Sequence, residues 1–330
     1  MRRLLPTLLL LAACNGTPAA DGTTERIVIP PGASFSSVLD SLEAHGLIGN
    51  RFALKVRAKL SEADRAVHAG AFEIPRGTSH AGILRLLREP KQLEVRFTVP
   101  EGLTIGDIAE LAEARLGIPA DSFVAAARDS LLADSLGLAV GSFEGFLRPD
   151  TYQLPPDITA RELVRRLASE FLQVWKPEWD ARLDTLDLTR PELLALASIV
   201  EGEARADEER EVIAGVYHNR LRIGMALQAD PTVQYAIMLR TGERKKRLYE
   251  KDYGFASPYN TYLNPGLPPG PVNSPGRRSI EAALYPDTVP YLFFVARPDG
   301  RHVFTRTYRE HLRAVAESRR ARAASSASGE

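Results

Sequence analysis

TRPELLALASIVEGE, residues 189–203, reads as a helix in three parts. Thr189 and Glu192 have the spacing of a capping box, and Pro191 stands just inside the helix start, where its missing N–H is not needed. Leu193 through Val200 are apolar on every face of a helix, so the helix they form belongs inside the protein. Glu201 closes that run. A carboxyl group buried beside such residues resists ionisation, which is the setting a general acid needs near neutral pH. A helix that ends at the surface explains the same residues, with Gly202 at its end and Glu203, Glu208, Glu209 and Glu211 in water.

Working outward, Asp207 can cap a second helix from Glu208 to Arg222. Its first turn is acidic and its last holds Arg220 and Arg222, matching the helix dipole. Val212, Ile213, Val216, Tyr217 and Leu221 form its apolar face, and Gly224 ends it. Three groups of residues here, Ala197–Glu201, Val216–Leu221 and Met225–Val233, closely resemble the endolytic murein transglycosylases, the YceG-like or MltG-type family. Ser257–Tyr262, Gly266–Pro271 and Tyr291–Ala296 match in the same order over the C-terminal half. The resemblance implies an α+β catalytic domain, and it implies that Glu201 is the catalytic glutamate. Within the matched motifs, Gln228, Asp230, Thr232, Tyr259, Asn260, Thr261 and Tyr262 are the candidates for substrate contacts. Packing alone could explain the tyrosines, and Asp230, lying before a proline, suits a turn equally well.

Two-carboxylate glycoside hydrolysis needs an acid and a partner that activates water or attacks the sugar. Asp230 is the only other carboxylate near Glu201 in a matched motif. Lytic transglycosylases, as the resemblance implies, avoid that requirement. One carboxyl group protonates the oxygen between N-acetylmuramic acid and N-acetylglucosamine, and the muramic acid's own 6-hydroxyl closes on C1. A hydrolase using Glu201 with Asp230 and a non-catalytic peptidoglycan-binding scaffold are the rival readings. Other chemistries fail on inventory. The six histidines form no metal-binding pattern, and neither a nucleophile elbow nor a phosphate-cradling glycine loop is present, so no cofactor is expected. His218, on the second helix, reads as a satisfied histidine.

Composition bounds the rest. The 330 residues allow two domains, and a formal net charge of zero argues against nucleic acid as a partner. Residues 1–13 read as a signal segment: Arg2 and Arg3 precede a short apolar run, which at ~1.5 Å per residue covers about half of a ~30 Å hydrocarbon core. Leu11-Ala12-Ala13-Cys14 resembles a bacterial lipobox. Cys14 is the lone cysteine, so lipidation there would anchor the chain to a membrane, facing the periplasm or cell exterior; an ordinary signal peptide or weak anchor helix is the alternative. Family relatives usually carry a transmembrane helix instead.

Residues 14–25 read as a tether. Over residues 26–118 a pattern recurs three times: Ile29-Pro30-Pro31-Gly32-Ala33-Ser34, Ile74-Pro75-Arg76-Gly77-Thr78-Ser79 and Val99-Pro100-Glu101-Gly102-Leu103-Thr104. Each follows a strand-like run, turns at Pro-x-Gly and offers a hydroxyl to cap a helix. These units resemble LysM-like modules, though plain α/β packing units without sugar contact explain them as well. The catalytic region is expected over 119–318, with Phe123–Leu138 helical, Phe146 and Tyr152 docking a Pro-rich turn, and an amphipathic helix over Arg161–Val174. Trp175 and Trp179 read as core or lid residues. Ser257–Gly276 is an ordered-loop candidate, and residues 319–330 look like a disordered tail. The substrate so inferred is the peptidoglycan glycan strand, and the resemblance implies proximity to the glycan-polymerising synthases.

Overall fold

The computed structural model describes residues 18–30, 32–88 and 94–327. The signal-like segment with Cys14 lies outside them. Among the described residues no helix is long and apolar enough to cross a membrane. The chain divides into two units, the first holding residues up to Arg96 together with Gln153–Asp157, the second holding Phe97–Tyr152 and Ile158 onward.

In the first unit, strand β1 (Thr24–Ile29) is followed by helices α1 (Phe35–Ala44) and α2 (Arg51–Leu60), strand β2 (Gly70–Pro75) and helix α3 (His80–Arg88). β1 and β2 pair antiparallel, from Thr24 opposite Pro75 to Ile29 opposite Gly70. Ile27 and Ile74 lie on the buried face with Leu39, Leu42, Leu54 and Ile83. Ser34 caps α1 by accepting the Ser37 N–H at 3.2 Å, as its position after the Pro-x-Gly turn predicts.

Strand β3 (Val95–Val99) leads toward helices α4 (Ile105–Leu116), α5 (Ala120–Ala127) and α6 (Ser130–Ser135). The third Pro-x-Gly turn thus opens the second unit, and Thr104 caps α4 through a full capping box with Asp107. The single helix expected over Phe123–Leu138 is two, because Asp129 leaves helical geometry and caps α6 through the Leu132 N–H. Strand β4 (Asp150–Leu154) pairs with β3. Next come α7 (Ala160–Val174), α8 (Pro177–Leu186) and α9 (Arg190–Glu203). Phe146, Tyr152, Trp175 and Trp179 are all buried, so the tryptophans serve the core. Phe171, Trp175 and Trp179 form a run of ring contacts with centroids 5.6 and 5.2 Å apart.

α9 is the axis of this unit. Every residue from Leu193 to Val200 is buried, and the Thr189–Glu192 capping box is present. Around it pack α10 (Arg210–Arg222), α11 (Asp230–Thr241) and α12 (Arg277–Leu284). Asp207 does not cap α10: it sits in a short 3₁₀ turn, and its carboxylate pairs with Arg210 and Arg278 instead. A two-stranded antiparallel ribbon, β5 (Phe293–Ala296) with β6 (His302–Thr305), follows. The final helix α13 runs from Tyr308 through Ala327, where a disordered tail was expected. The Ala and Arg residues of that tail are strong helix formers. Ser318 and Arg322 fasten α13 by donating to the Ala296 carbonyl at 2.7 and 3.0 Å.

Candidate active site

The last turn of α9 presents two glutamates, two residues apart, and residues so spaced face different sides of a helix. Each meets its own surroundings.

Glu201 does not end in an apolar enclosure. Its side chain is 8% exposed, and its carboxylate is held by three donors. The Arg210 guanidinium reaches Oε1 at 3.2 Å, while the Gly276 N–H and the Ser279 hydroxyl reach Oε2 at 2.9 and 2.8 Å. Arg210 comes from the start of α10 and Ser279 from the first turn of α12, so this carboxylate ties three helices together. The segment before α12 is fastened to α9 a turn earlier. The Ser198 hydroxyl accepts the Val272 N–H at 2.9 Å, and the Asn273 side-chain amide donates to the Ser198 carbonyl at 2.9 Å. Glu101 lies beside this cluster, and burial followed by the charge of Glu201 raises its carboxyl above the ordinary range.

Glu203, which the sequence reading left in water, has the environment expected of Glu201. It is half-buried. Burial, and then the charge of Asp230, push its carboxyl up to about 7. The Tyr217 hydroxyl of α10 donates to it at 3.3 Å, and the Asp230 backbone N–H faces it from the start of α11. Asp230 is itself raised by burial, against the opposing effect of Tyr262 and Tyr253. The Tyr262 hydroxyl donates to Asp230 at 2.7 Å, and the Tyr253 and Tyr262 rings stand 4.6 Å apart. Gly202, between the glutamates, is what lets α11 approach. A Cβ there would lie 2.6 Å from Pro231 Cγ, far inside van der Waals contact, so Gly202 serves close packing inside the last helical turn.

The remaining candidates separate by burial. Gln228 is exposed and left-handed (φ 47°), its N–H bonded to the Thr261 carbonyl at 3.1 Å. A non-glycine residue in that conformation is held there by its surroundings. Tyr262 and Tyr259 are half-buried, Tyr262 on Asp230 and Tyr259 with its ring tilted against Tyr235, centroids 4.9 Å apart. Thr232, Asn260 and Thr261 are at most 1% exposed, so they cannot touch a sugar in this conformation. They are corrected to loop-holding residues, since a buried polar side chain must find its partner within the protein. Asn260 donates to the carbonyls of Tyr253 and Phe255 at 2.9 and 2.8 Å, and Thr261 accepts the Ala229 N–H at 3.0 Å and meets the Thr232 hydroxyl at 2.9 Å. Their effect is to set Asp230 and Tyr262 side by side.

Two further residues stand out, Tyr217 and Glu144. Tyr217 stood only as one member of an apolar face. Glu144 is buried at the start of α4, where it accepts the Ile105 N–H at 3.2 Å and the Tyr235 hydroxyl at 3.1 Å; burial pushes its carboxyl up to about 7. His218 is satisfied by the Ala283 carbonyl at 2.8 Å. Among the described residues no group of His, Cys, Asp and Glu is arranged to hold a metal ion.

Comparison with known proteins adds the following. The model of the YceG-like family matches residues 27–317. An endolytic murein transglycosylase of Bacillus subtilis is 31% identical over 311 residues, which cover 88% of this chain and 84% of that protein. One from Streptococcus pneumoniae is 29% identical and aligned over 88% of this chain and 57% of its own length. A crystal structure of a putative yceG-like protein from Listeria monocytogenes superposes with a TM-score of 0.60 at 30% identity, over 88% of this chain and 98% of that one.

Proposed function

The chain belongs to the YceG-like family, and from that premise we propose that it is an endolytic peptidoglycan lytic transglycosylase whose general acid is Glu203. Its relatives named endolytic murein transglycosylases support the glycan strand as substrate. The observation that carries the choice of acid is the environment of Glu203: a half-buried carboxyl raised to about 7 beside Asp230 and Tyr217. A group with that value holds its proton on about half of the molecules at neutral pH, which suits both giving and retaking it.

In the proposed reaction Glu203 gives its proton to the oxygen joining N-acetylmuramic acid to N-acetylglucosamine, and the C1–O bond breaks. The 6-hydroxyl of the same muramic acid closes on C1, and its proton returns to Glu203. The products are a free 4-hydroxyl end and a 1,6-anhydro end, with no water consumed. Exposed Gln228 and half-buried Tyr262 and Tyr259 are the proposed sugar contacts. Glu201, the acid expected from the sequence, takes a bracing role, because its two oxygens are occupied by Arg210, Gly276 and Ser279.

The deciding experiment measures anhydro-ended fragments released from purified glycan strands by folded Glu203→Gln and Glu201→Gln proteins. Loss of positioned proton transfer should slow Glu203→Gln by ~10²–10⁴-fold. Near-wild-type release by that variant would refute the assignment, and reducing ends in place of anhydro ends would make the protein a hydrolase. The wider reading includes a lipid anchor at Cys14 with the site facing outward from the membrane, proximity to glycan synthases, and LysM-like glycan contact by the strand–turn–helix units.

A further inference from the structure

The carboxylate beside Glu203 has no place in a reaction that needs one acid, yet four elements converge on the pair. Glu203 ends α9; Tyr217 and Arg220 face it from α10; Asp230 opens α11; Tyr253 and Tyr262 come from the loop after α11. The two acids are not equivalent. Asp230 accepts the Tyr262 hydroxyl at 2.7 Å with Tyr253 beside it. It also occupies the first position of a helix of 12 residues, where the helix dipole favours an anion. Glu203 has the longer 3.3 Å bond from Tyr217 and sits at the C-terminal end of its own helix, where the dipole disfavours negative charge. The guanidinium that acts on it, Arg220, is committed to the Leu227 and Leu292 carbonyls at 2.6 and 2.7 Å. When two carboxyls share a site, the one better supplied with donors ionises and the other keeps the proton.

We propose that Asp230 is a positioning residue for catalysis, an anion fixed by Tyr262 and Tyr253 whose charge keeps the proton on Glu203. This rests on the reading of Glu203 as the acid. Asp230→Asn keeps the side-chain size, the backbone N–H toward Glu203 and an acceptor for Tyr262, and removes only the charge. Glu203 then loses its proton at lower pH, by roughly one unit for a close like charge.

The test compares kcat/KM for release of anhydro-ended fragments across pH by wild type, Asp230→Asn and Glu203→Gln. The fall of activity on the alkaline side should move to lower pH in Asp230→Asn. The ratio of rates at pH ~8 and pH ~6 should drop about fivefold relative to wild type, whereas a residue that only held the loop would lower the whole profile without moving it. An unmoved profile overturns the proposal while leaving Glu203 as the acid, provided Glu203→Gln is inactive; an active Glu203→Gln removes the premise itself. Should Asp230→Asn not fold, carbon-13 titration of the wild-type carboxyls decides: Asp230 must ionise first and Glu203 second. The reverse order overturns the proposal.

Discussion

Gly202→Ala isolates the contact that sets the two carboxyls against each other. The new Cβ would lie 2.6 Å from Pro231 Cγ and 2.8 Å from its Cβ. Carbon atoms in contact sit about 3.5–4.0 Å apart, so one partner must retreat by roughly 1 Å. Pro231 is buried and its ring has no rotamer to turn away with. The start of α11 must therefore shift, and Asp230 with it. In stability the change nearly offsets itself: alanine inside a helix gains about 1 kcal/mol over glycine, and overpacking costs about 1–3 kcal/mol. Activity is the sensitive quantity, since misplacement of ~1 Å around reacting groups can cost ~10²-fold. Release of anhydro ends should fall by ~10–100-fold while urea denaturation shows a loss within about 2 kcal/mol. Gly141→Ala is the control, because a Cβ there meets nothing within 4 Å. Full activity in Gly202→Ala, or a loss matched by equal loss in the control, would refute the argument.

Four other outcomes are expected. Glu201→Gln removes a charged partner from Arg210 and should destabilise the protein by about 1–3 kcal/mol in urea denaturation, with less loss of activity than Glu203→Gln. Glu144 titrates at about 7 when folded against 4.5 ordinarily, so between those values the folded state binds more protons than the unfolded one and stability falls as pH rises. Its share approaches about 3 kcal/mol above pH ~7, and Glu144→Gln should flatten the difference in stability between pH ~5 and ~8 compared with wild type. Cys14→Ala should abolish incorporation of labelled fatty acid, and a wild-type protein that takes up no label would leave a simple signal segment. A fragment of residues 24–96 should co-sediment with isolated peptidoglycan; binding no better than an unrelated domain would reduce those units to spacers.

What the sequence determined by itself was local. The capping box at Thr189, the buried run Leu193–Val200 and the hydroxyl caps after Pro-x-Gly turns all depend on residues within about one helical turn of each other. Such interactions leave a period or spacing that can be read directly. The YceG-like motifs were legible in the same way, as contiguous runs. What surrounds each glutamate of α9 was decided only by tertiary packing. Glu201 and Glu203 occupy the same helical turn, and they differ in what arrives from elsewhere in the chain. Ser279 and Gly276 come to one from more than 70 positions away. Asp230 and Tyr217 come to the other, with Tyr262 behind Asp230. Thr232, Asn260 and Thr261 make the same point. A short polar side chain suits a sugar or a buried loop equally well, and desolvation, which no spacing records, assigned these three to the loop.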